Sequence, residues 1–373
     1  MAFVIRYYRR GIALSAVLAL LATVTARAEV TTDGSLGPAH ALAGPDYQIG
    51  ADLGQIRGSN LFHSFSTFNL ISTESANFTG PDSISNVLGR VTGGSASSID
   101  GAINSQIPGA NLYLINPGGI VFGPNATLNV SGSFHASTAD YMRLGENARF
   151  DASNPGNSVL TAAPPAAFGF LGQAHAISAD QSVLKVASGN TLSLVGGDVS
   201  ITGAQREVDG ETVHPGDPGF NCGTSCLRAP GGRIQIVSTS TITEVPTDLS
   251  MSDGSDWTAG GGVTIGNSSL IDVSGAAAGT IYIRAGAFTT DAVELRADSS
   301  GAGAVAPVAV DIITGGNAEL GDTVVGARST GNTKGGSIGL QAQTIELRAG
   351  THLETGTCSE CEGGAGGAIS LRA

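Results

Sequence analysis

Positive charge is scarce in this chain. Only 18 of its 373 residues are Lys or Arg, against 31 Asp or Glu, and the formal net charge is −13. Four of the arginines (Arg6, Arg9, Arg10 and Arg27) fall in the first 28 residues, which hold no acid; removing that segment takes the charge to −17. A surface this acidic argues against nucleic acid or anionic lipid as a partner. Catalytic motifs are missing as well. There is no G-x-S-x-G elbow, no H-E-x-x-H pair and no phosphate-binding loop. Gly363-Gly364-Ala365-Gly366-Gly367 lacks the Lys-Ser/Thr ending that a phosphate cradle needs, and calcium-binding GGxGxDxUx repeats are absent. These gaps leave no cofactor to expect.

Long apolar runs are missing too, with one exception at the start. Gly11 to Val24 is a run of about 14 residues, short of the roughly 20 that span a bilayer. It follows a basic stretch and precedes Ala26-Arg27-Ala28, an A-x-A cleavage site. Residues 1–28 therefore read as a secretory signal, with Glu29 as the mature N-terminus. No second stretch long enough to span a membrane follows it.

Cysteine is sparse and paired. Cys222 and Cys226 form one close pair, Cys358 and Cys361 another. Beyond a signal peptide, local disulfides are the leading reading. A zinc site uniting all of these thiolates is the alternative. His63 sits beside Phe62 and has no second His or carboxylate at ligand spacing, so it reads as no metal ligand.

What is abundant is glycine, 55 residues of it, with Val, Ile, Leu and Thr interleaved. A flexible linker would lack the β-branched residues, and collagen would place Gly at every third position. The pattern is clearest from Ala110 to Leu144. Apolar pairs alternate with period two at Leu112/Leu114, Ile120/Phe122, Leu128/Val130 and Phe134/Ala136. Turn formers separate them: Asn116-Pro117-Gly118-Gly119, Gly123-Pro124-Asn125 and Ser131-Gly132. Strands of about three to five residues with tight corners and no room for helices predict a β-solenoid of stacked coils.

The same pattern continues over residues 145–203, where Leu184, Leu192 and Val199 head successive strands. Three such strands per coil predict a period of roughly 20–25 residues. Residues 204–230, charged and rich in Pro and Gly, read as a loop extruded from the coil, with the pattern resuming at Gly231. A looser repeat, small-Gly-x-Ile/Val-x-Ile/Leu, then recurs at 261–265, 278–283, 335–340 and 366–371. Phe62, Phe65, Phe68 and Phe78 are expected to stack inside the first coils. Asn116, at a corner before Pro, is expected to bond backbone of the next coil. No terminal cap is visible before Ala373, so residues 251–373 read as further repeats, either cut short or opening a longer repeat region.

The stretch NPGGIVFGPNATLNVSGSFHASTADYMRL resembles the signature of the filamentous haemagglutinin N-terminal domain, the secretion module of two-partner secretion exoproteins. Asn60-Leu61-Phe62-His63-Ser64-Phe65, Ala76 to Pro81, Gly89-Arg90-Val91-Thr92-Gly93-Gly94 and Pro164 to Phe170 resemble further family segments in the family's order. Gly118 departs from the family's Asn-Pro-Asn-Gly-Ile motif, and no Asn-Pro-Asn-Leu motif is present, although Asn86-Val87-Leu88 lies in a comparable place. The resemblance implies a right-handed parallel β-helix over residues 29–250, with residues before about 58 capping the first coil. It implies export through the periplasm and a dedicated outer-membrane β-barrel transporter, to the surface of a Gram-negative-type bacterium or beyond. It implies that Asn116, Pro117, Gly118, Gly119 and Ile120 are read by the transporter. It also implies an adhesin or haemagglutinin, with a host-cell or surface glycan as a further partner. A polysaccharide-acting enzyme on the same fold is the alternative, and calls for carboxylates clustered with Arg or Lys on one face of the solenoid.

Overall fold

The computed structural model describes residues 29–205, 207–208, 211–217, 220–223, 225–251, 260–301, 308–329, 334–356 and 366–373. The expected signal, residues 1–28, lies outside them, as do Cys358 and Cys361.

The chain is all-β and winds as a β-helix. Its short strands are too rich in β-branched residues, and its corners too rich in Gly and Pro, for anything else. One long sheet collects a strand from each coil, from Asn60–Asn69 through Asn86–Val91, Asn111–Ile115, Phe134–Ser137, Thr191–Gly196 and Arg233–Ser238 to Ile369–Arg372. Apart from its capping strands, neighbours in it run parallel. Register aligns every second side chain into a column pointing at the axis: Leu61, Val87, Leu112, Phe134, Leu192 and Ile234. None of these is more than 2% exposed, so the column is the core. A second sheet, with strands such as Ile120–Phe122, Ile177–Asp180 and Val199–Thr202, closes the opposite side. A third sheet of four short strands, including Ser75–Phe78 and Ala102–Ser105, lines the early coils.

In the first sheet the early coils advance by 26, 25 and 22 residues, close to the expected period. The later ones advance by 29, 28 and 31, because their corners are longer. Three copies of the small-Gly repeat lie in this sheet, whereas the copy at 261–265 lies in the second. The motif therefore marks entry into a strand, whichever face that strand joins.

The first coil is capped. Glu29–Thr32 and Gln55–Arg57 both pair antiparallel with Asn60–Asn69, covering an edge that would otherwise recruit another chain. Phe65, Phe68 and Phe78 meet inside this end, with ring centroids 5.2 to 6.5 Å apart. Phe62 faces the other way, against Phe150 at 5.0 Å.

Two expectations need correction. Residues 145–170 do not continue the coil. With Tyr141–Leu144, the strands Ala148–Asp151 and Pro165–Phe170 form an antiparallel sheet, completed by Thr243–Pro246. This sheet covers the outer face of the first sheet, where Phe62, Leu88, Tyr113 and Ile115 would otherwise meet water. Phe150, Phe168 and Phe170 are each at most 1% exposed there, and burial of each stabilises by about 1.5–3 kcal/mol. The solenoid resumes at Ile177. The extruded loop is also shorter than residues 204–230. Cys226–Arg228 rejoins the coil between Val183–Lys185 and the Leu270–Asp272 segment, because Leu227 is apolar and fully buried.

Candidate functional site

The corner between Asn111–Ile115 and Ile120–Phe122 holds all five candidate residues together. Asn116 is fully buried. Its Nδ2 donates to the Ser95 carbonyl at 3.0 Å and to Ser97 Oγ at 2.9 Å, both on the preceding coil and not, as expected, on the next one. Its Oδ1 accepts from the Gly118 backbone N–H at 2.8 Å. The Asn side chain thus folds its own turn and pins it to the coil before. The coil after it holds the other side: His175 Nδ1 donates to the Pro117 carbonyl at 2.6 Å, and the Ile120 N–H to the Ala176 carbonyl at 3.2 Å.

The two glycines have separate reasons. Gly119 has φ +112°, a conformation that side chains resist. At Gly118 a Cβ would sit 2.7 Å from the Ser95 carbonyl carbon and oxygen. The family's Asn at this position would therefore not fit without moving the preceding coil. Ile120 points into the core, fully buried. Pro117 and Gly118 are half-buried, and Val121, next in the chain, is 41% exposed. What this corner presents outward is a shape with a small apolar patch, not the Asn amide.

A ladder of asparagines does exist, but elsewhere. Asn86 Nδ2 donates to Asn60 Oδ1 at 2.9 Å, and Asn111 Nδ2 to Asn86 Oδ1 at 3.1 Å. Asn60 Nδ2 caps the ladder on the Thr161 and Ala163 carbonyls, tying the coils to the covering sheet's return loop. The sequence signal was available: Asn before Leu or Val at separations of 26 and 25 residues.

Arg90 is the second feature that residue patterns did not reveal. Its guanidinium is 1% exposed yet charged. Nε donates to Ser64 Oγ at 2.7 Å, Nη2 to Ser35 Oγ at 2.9 Å, and Nη1 to Ser158 Oγ and the Asp151 carbonyl. It lies 4.5 Å from the Phe150 ring centroid. Burial lowers its pKa to about 10, against the attraction of Asp33 and Asp151. Burial works to raise Asp33, but hydrogen bonds from Ser64, Ser35 and Thr92 outweigh it and hold the carboxyl below the ordinary range.

Cys222 and Cys226 are joined in a disulfide at the end of the extruded loop. Among the described residues no group of three or more His, Cys, Asp or Glu is placed to hold a metal ion, and no helix is long and apolar enough to cross a membrane. One face of the second sheet does bring carboxylates beside arginines, as the enzyme alternative requires. Glu294 binds Arg296 through both oxygens at 2.7 and 2.6 Å, and Arg328 lies between Glu294, Asp298 and Glu354. Glu294 is fully buried, whereas Arg328, Asp298 and Glu354 keep partial exposure.

A family model described as TPS secretion domain matches residues 28–255. Over 81 residues the chain is 37% identical to a heme/hemopexin-binding protein of Haemophilus influenzae; that match takes in 22% of this chain and 8% of the relative's length. Two solved structures align at 14% identity and a TM-score of 0.37. The HMW1 secretion domain from Haemophilus influenzae covers 85% of this chain and 96% of its own. The filamentous hemagglutinin secretion domain covers 93% and 100%.

Proposed function

From the premise that this chain belongs to the TPS secretion domain family, we propose that residues 29 to about 250 direct it through a dedicated outer-membrane β-barrel transporter. Two-partner secretion is the family's route, and its exoproteins are secreted by Gram-negative bacteria. The finer statements are our reading. The chain crosses the periplasm, passes the transporter and ends at the cell surface or outside, where it acts as an adhesin or haemagglutinin rather than an enzyme. A host-cell or surface glycan is the partner this implies. Residues 251–373 are further solenoid coils carried by the module.

The observation that supports this best is the family match over residues 28–255, joined to a motif that forms one rigid corner. Coils touch only their neighbours, so folding can begin at the emerging end and propagate without a nucleotide-driven step. We assign recognition to the corner 116–120 as a shape, with Asn116, Gly119 and Ile120 forming it from inside and Pro117 and Gly118 presenting it.

The assignment separates two variants. Asn116→Ala removes both hydrogen bonds to the preceding coil, and the fold should lose about 2–3 kcal/mol. Val121→Ser changes only an exposed side chain at the rim, and stability should shift by no more than about 0.5 kcal/mol. Both are expected to lower transporter-dependent release into the medium, measured by co-expression with the transporter gene. If Val121→Ser and Pro117→Ala export at the wild-type rate while Asn116→Ala fails only in proportion to its lost stability, the corner is architecture and recognition lies elsewhere. Equal release with and without the transporter would overturn the two-partner reading itself.

A further inference from the structure

The family match ends at residue 255, yet the extruded loop reaches past it. Residues 211–217 and 220–223 fold back over the outer face of the second sheet, onto strands that come later in the chain. Val213 and Phe220, 8% and 3% exposed, join Cys226 and Leu270 in a small apolar cluster separate from the solenoid core. The Gly216 N–H donates to Glu294 Oε2 at 3.3 Å, and Arg296 Nη2 donates to the Phe220 carbonyl at 3.2 Å. His214 Nδ1 lies 3.1 Å from Asp322 Oδ2. These contacts join residues 76 to 108 positions apart. Asp217 braces the loop internally, accepting from the His214 N–H at 2.8 Å and from the Phe220 N–H at 2.9 Å.

We propose that this loop is a strap that fastens the secretion module to the coils that follow it. Glu294, Arg296 and Asp322 belong to the strands Ala287–Arg296 and Asn317–Gly326, which do not exist as a surface until those coils have formed. The strap therefore closes last. It cannot dock on a module that has folded only through residue 255. Once docked it covers the Glu294–Arg296 pair, where excluding water strengthens the attraction between them. It links two regions that otherwise communicate only coil to coil, so the late strands cannot open without lifting the strap. The Cys222–Cys226 disulfide holds the end of the strap to the Cys226–Arg228 strand and so shortens the segment that has to be ordered. This coupling is a property of the folded chain and does not depend on how the chain is exported.

Two substitutions lift the strap without altering the coils. Gly216 has φ +88°, and a Cβ there would sit 3.3 Å from the Val324 side chain, so Gly216→Val both strains the turn and pushes it off the strand. Phe220→Ser removes the apolar pin. The test is hydrogen exchange, followed by mass spectrometry, on the purified chain 29–373. In both variants the amides of 290–296 and 321–326 should exchange about tenfold faster or more, while those of Asn86–Val91 keep their wild-type rates. Unchanged protection at 290–296 and 321–326 in both variants would overturn the proposal. So would a loss of protection throughout the chain in both, because the loop would then be part of the general core. If only Gly216→Val unfolds globally, Phe220→Ser decides by the same criterion.

Discussion

Replacing Arg90 with alanine is expected to cost the fold about 3–5 kcal/mol, as much as truncating a buried phenylalanine of the covering sheet. The reason is what its guanidinium joins. Ser35 belongs to the cap, Ser64 to the first coil, and Asp151 and Ser158 to the covering sheet and its return loop. The apolar cluster of Phe62, Phe150, Leu36 and Leu160 joins the same pieces, and Arg90 adds directed hydrogen bonds to it. Truncation takes the guanidinium donor from the Asp151 carbonyl and the Ser158 hydroxyl, leaving the carbonyl only a long 3.5 Å bond from Ser158 Oγ, and removes the cation that attracts half-buried Asp33. Desolvated groups that lose a partner cost more than the bond itself was worth.

Arg90→Lys should recover less than half of the loss. A lysine ammonium is a point donor and cannot reach Ser64, Ser35 and Ser158 in one plane as the guanidinium fork does. Arg90→Met keeps the apolar stem over Phe150 and should behave like alanine if the hydrogen bonds dominate. Chemical unfolding of the mature chain measures all three. An Arg90→Ala variant within about 1 kcal/mol of wild type would show that the cap and covering sheet hold without this node.

The solenoid was legible because its signal is local. Alternation at Leu112/Leu114 and Phe134/Ala136 depends on period two alone, and the corners at Asn116 and Ser131 on their turn-forming residues. The covering sheet was not legible for the same reason. Pro165–Phe170 alternates as well as any coil strand, and only its partner decides whether it lies in the coil or on top of it. The deciding fact is that Phe62, Leu88 and Tyr113 occupy outward positions in the first sheet, which is visible only once register aligns them. Arg90 was hidden likewise. An arginine in a strand reads as exposed until Asp33, 57 positions away in sequence, and Asp151, 61 positions away, are placed beside it. The strap hid its two apolar pins, Val213 and Phe220, in a stretch otherwise rich in Gly, Pro and charge. At the candidate corner, residue types identified the turn, but whether the Asn116 amide faced the coil or the solvent required coordinates.

Acidification is expected to weaken the domain from about pH 6.5 downward, well before carboxylates titrate. Two histidines are responsible. His63 points into the first coil, 1% exposed, with Phe65 and Phe78 ring centroids at 6.2 and 5.7 Å. Burial lowers its pKa to about 4, opposed by Asp52. His135 lies flat on Tyr113, centroids 4.4 Å apart and 3° from parallel, beneath Phe168 of the covering sheet. Burial lowers it to about 3, opposed by Asp248. In each case the folded value lies below the ordinary 6.5, so the unfolded chain takes up the proton first. Stability is fully present above pH 6.5 and falls as the pH drops from there toward about 4 for His63 and about 3 for His135. Each histidine contributes a slope of about 1.4 kcal/mol per pH unit in that window, so together they remove roughly 2.7. Asp33 and Asp248, both held below the ordinary carboxylate range, add to the loss only at lower pH. Urea unfolding at pH 7.5, 6.0 and 5.0 reads the slope directly. His63→Leu, which matches the Leu114 and Leu194 positions of the same column, should halve it, and adding His135→Phe should nearly abolish it. A wild-type stability that is flat between pH 7 and 5 would mean that both rings accept a proton in place. The aromatic contacts would then have to open enough to admit water, and both the first coil and the layer under the covering sheet would be looser than their burial indicates.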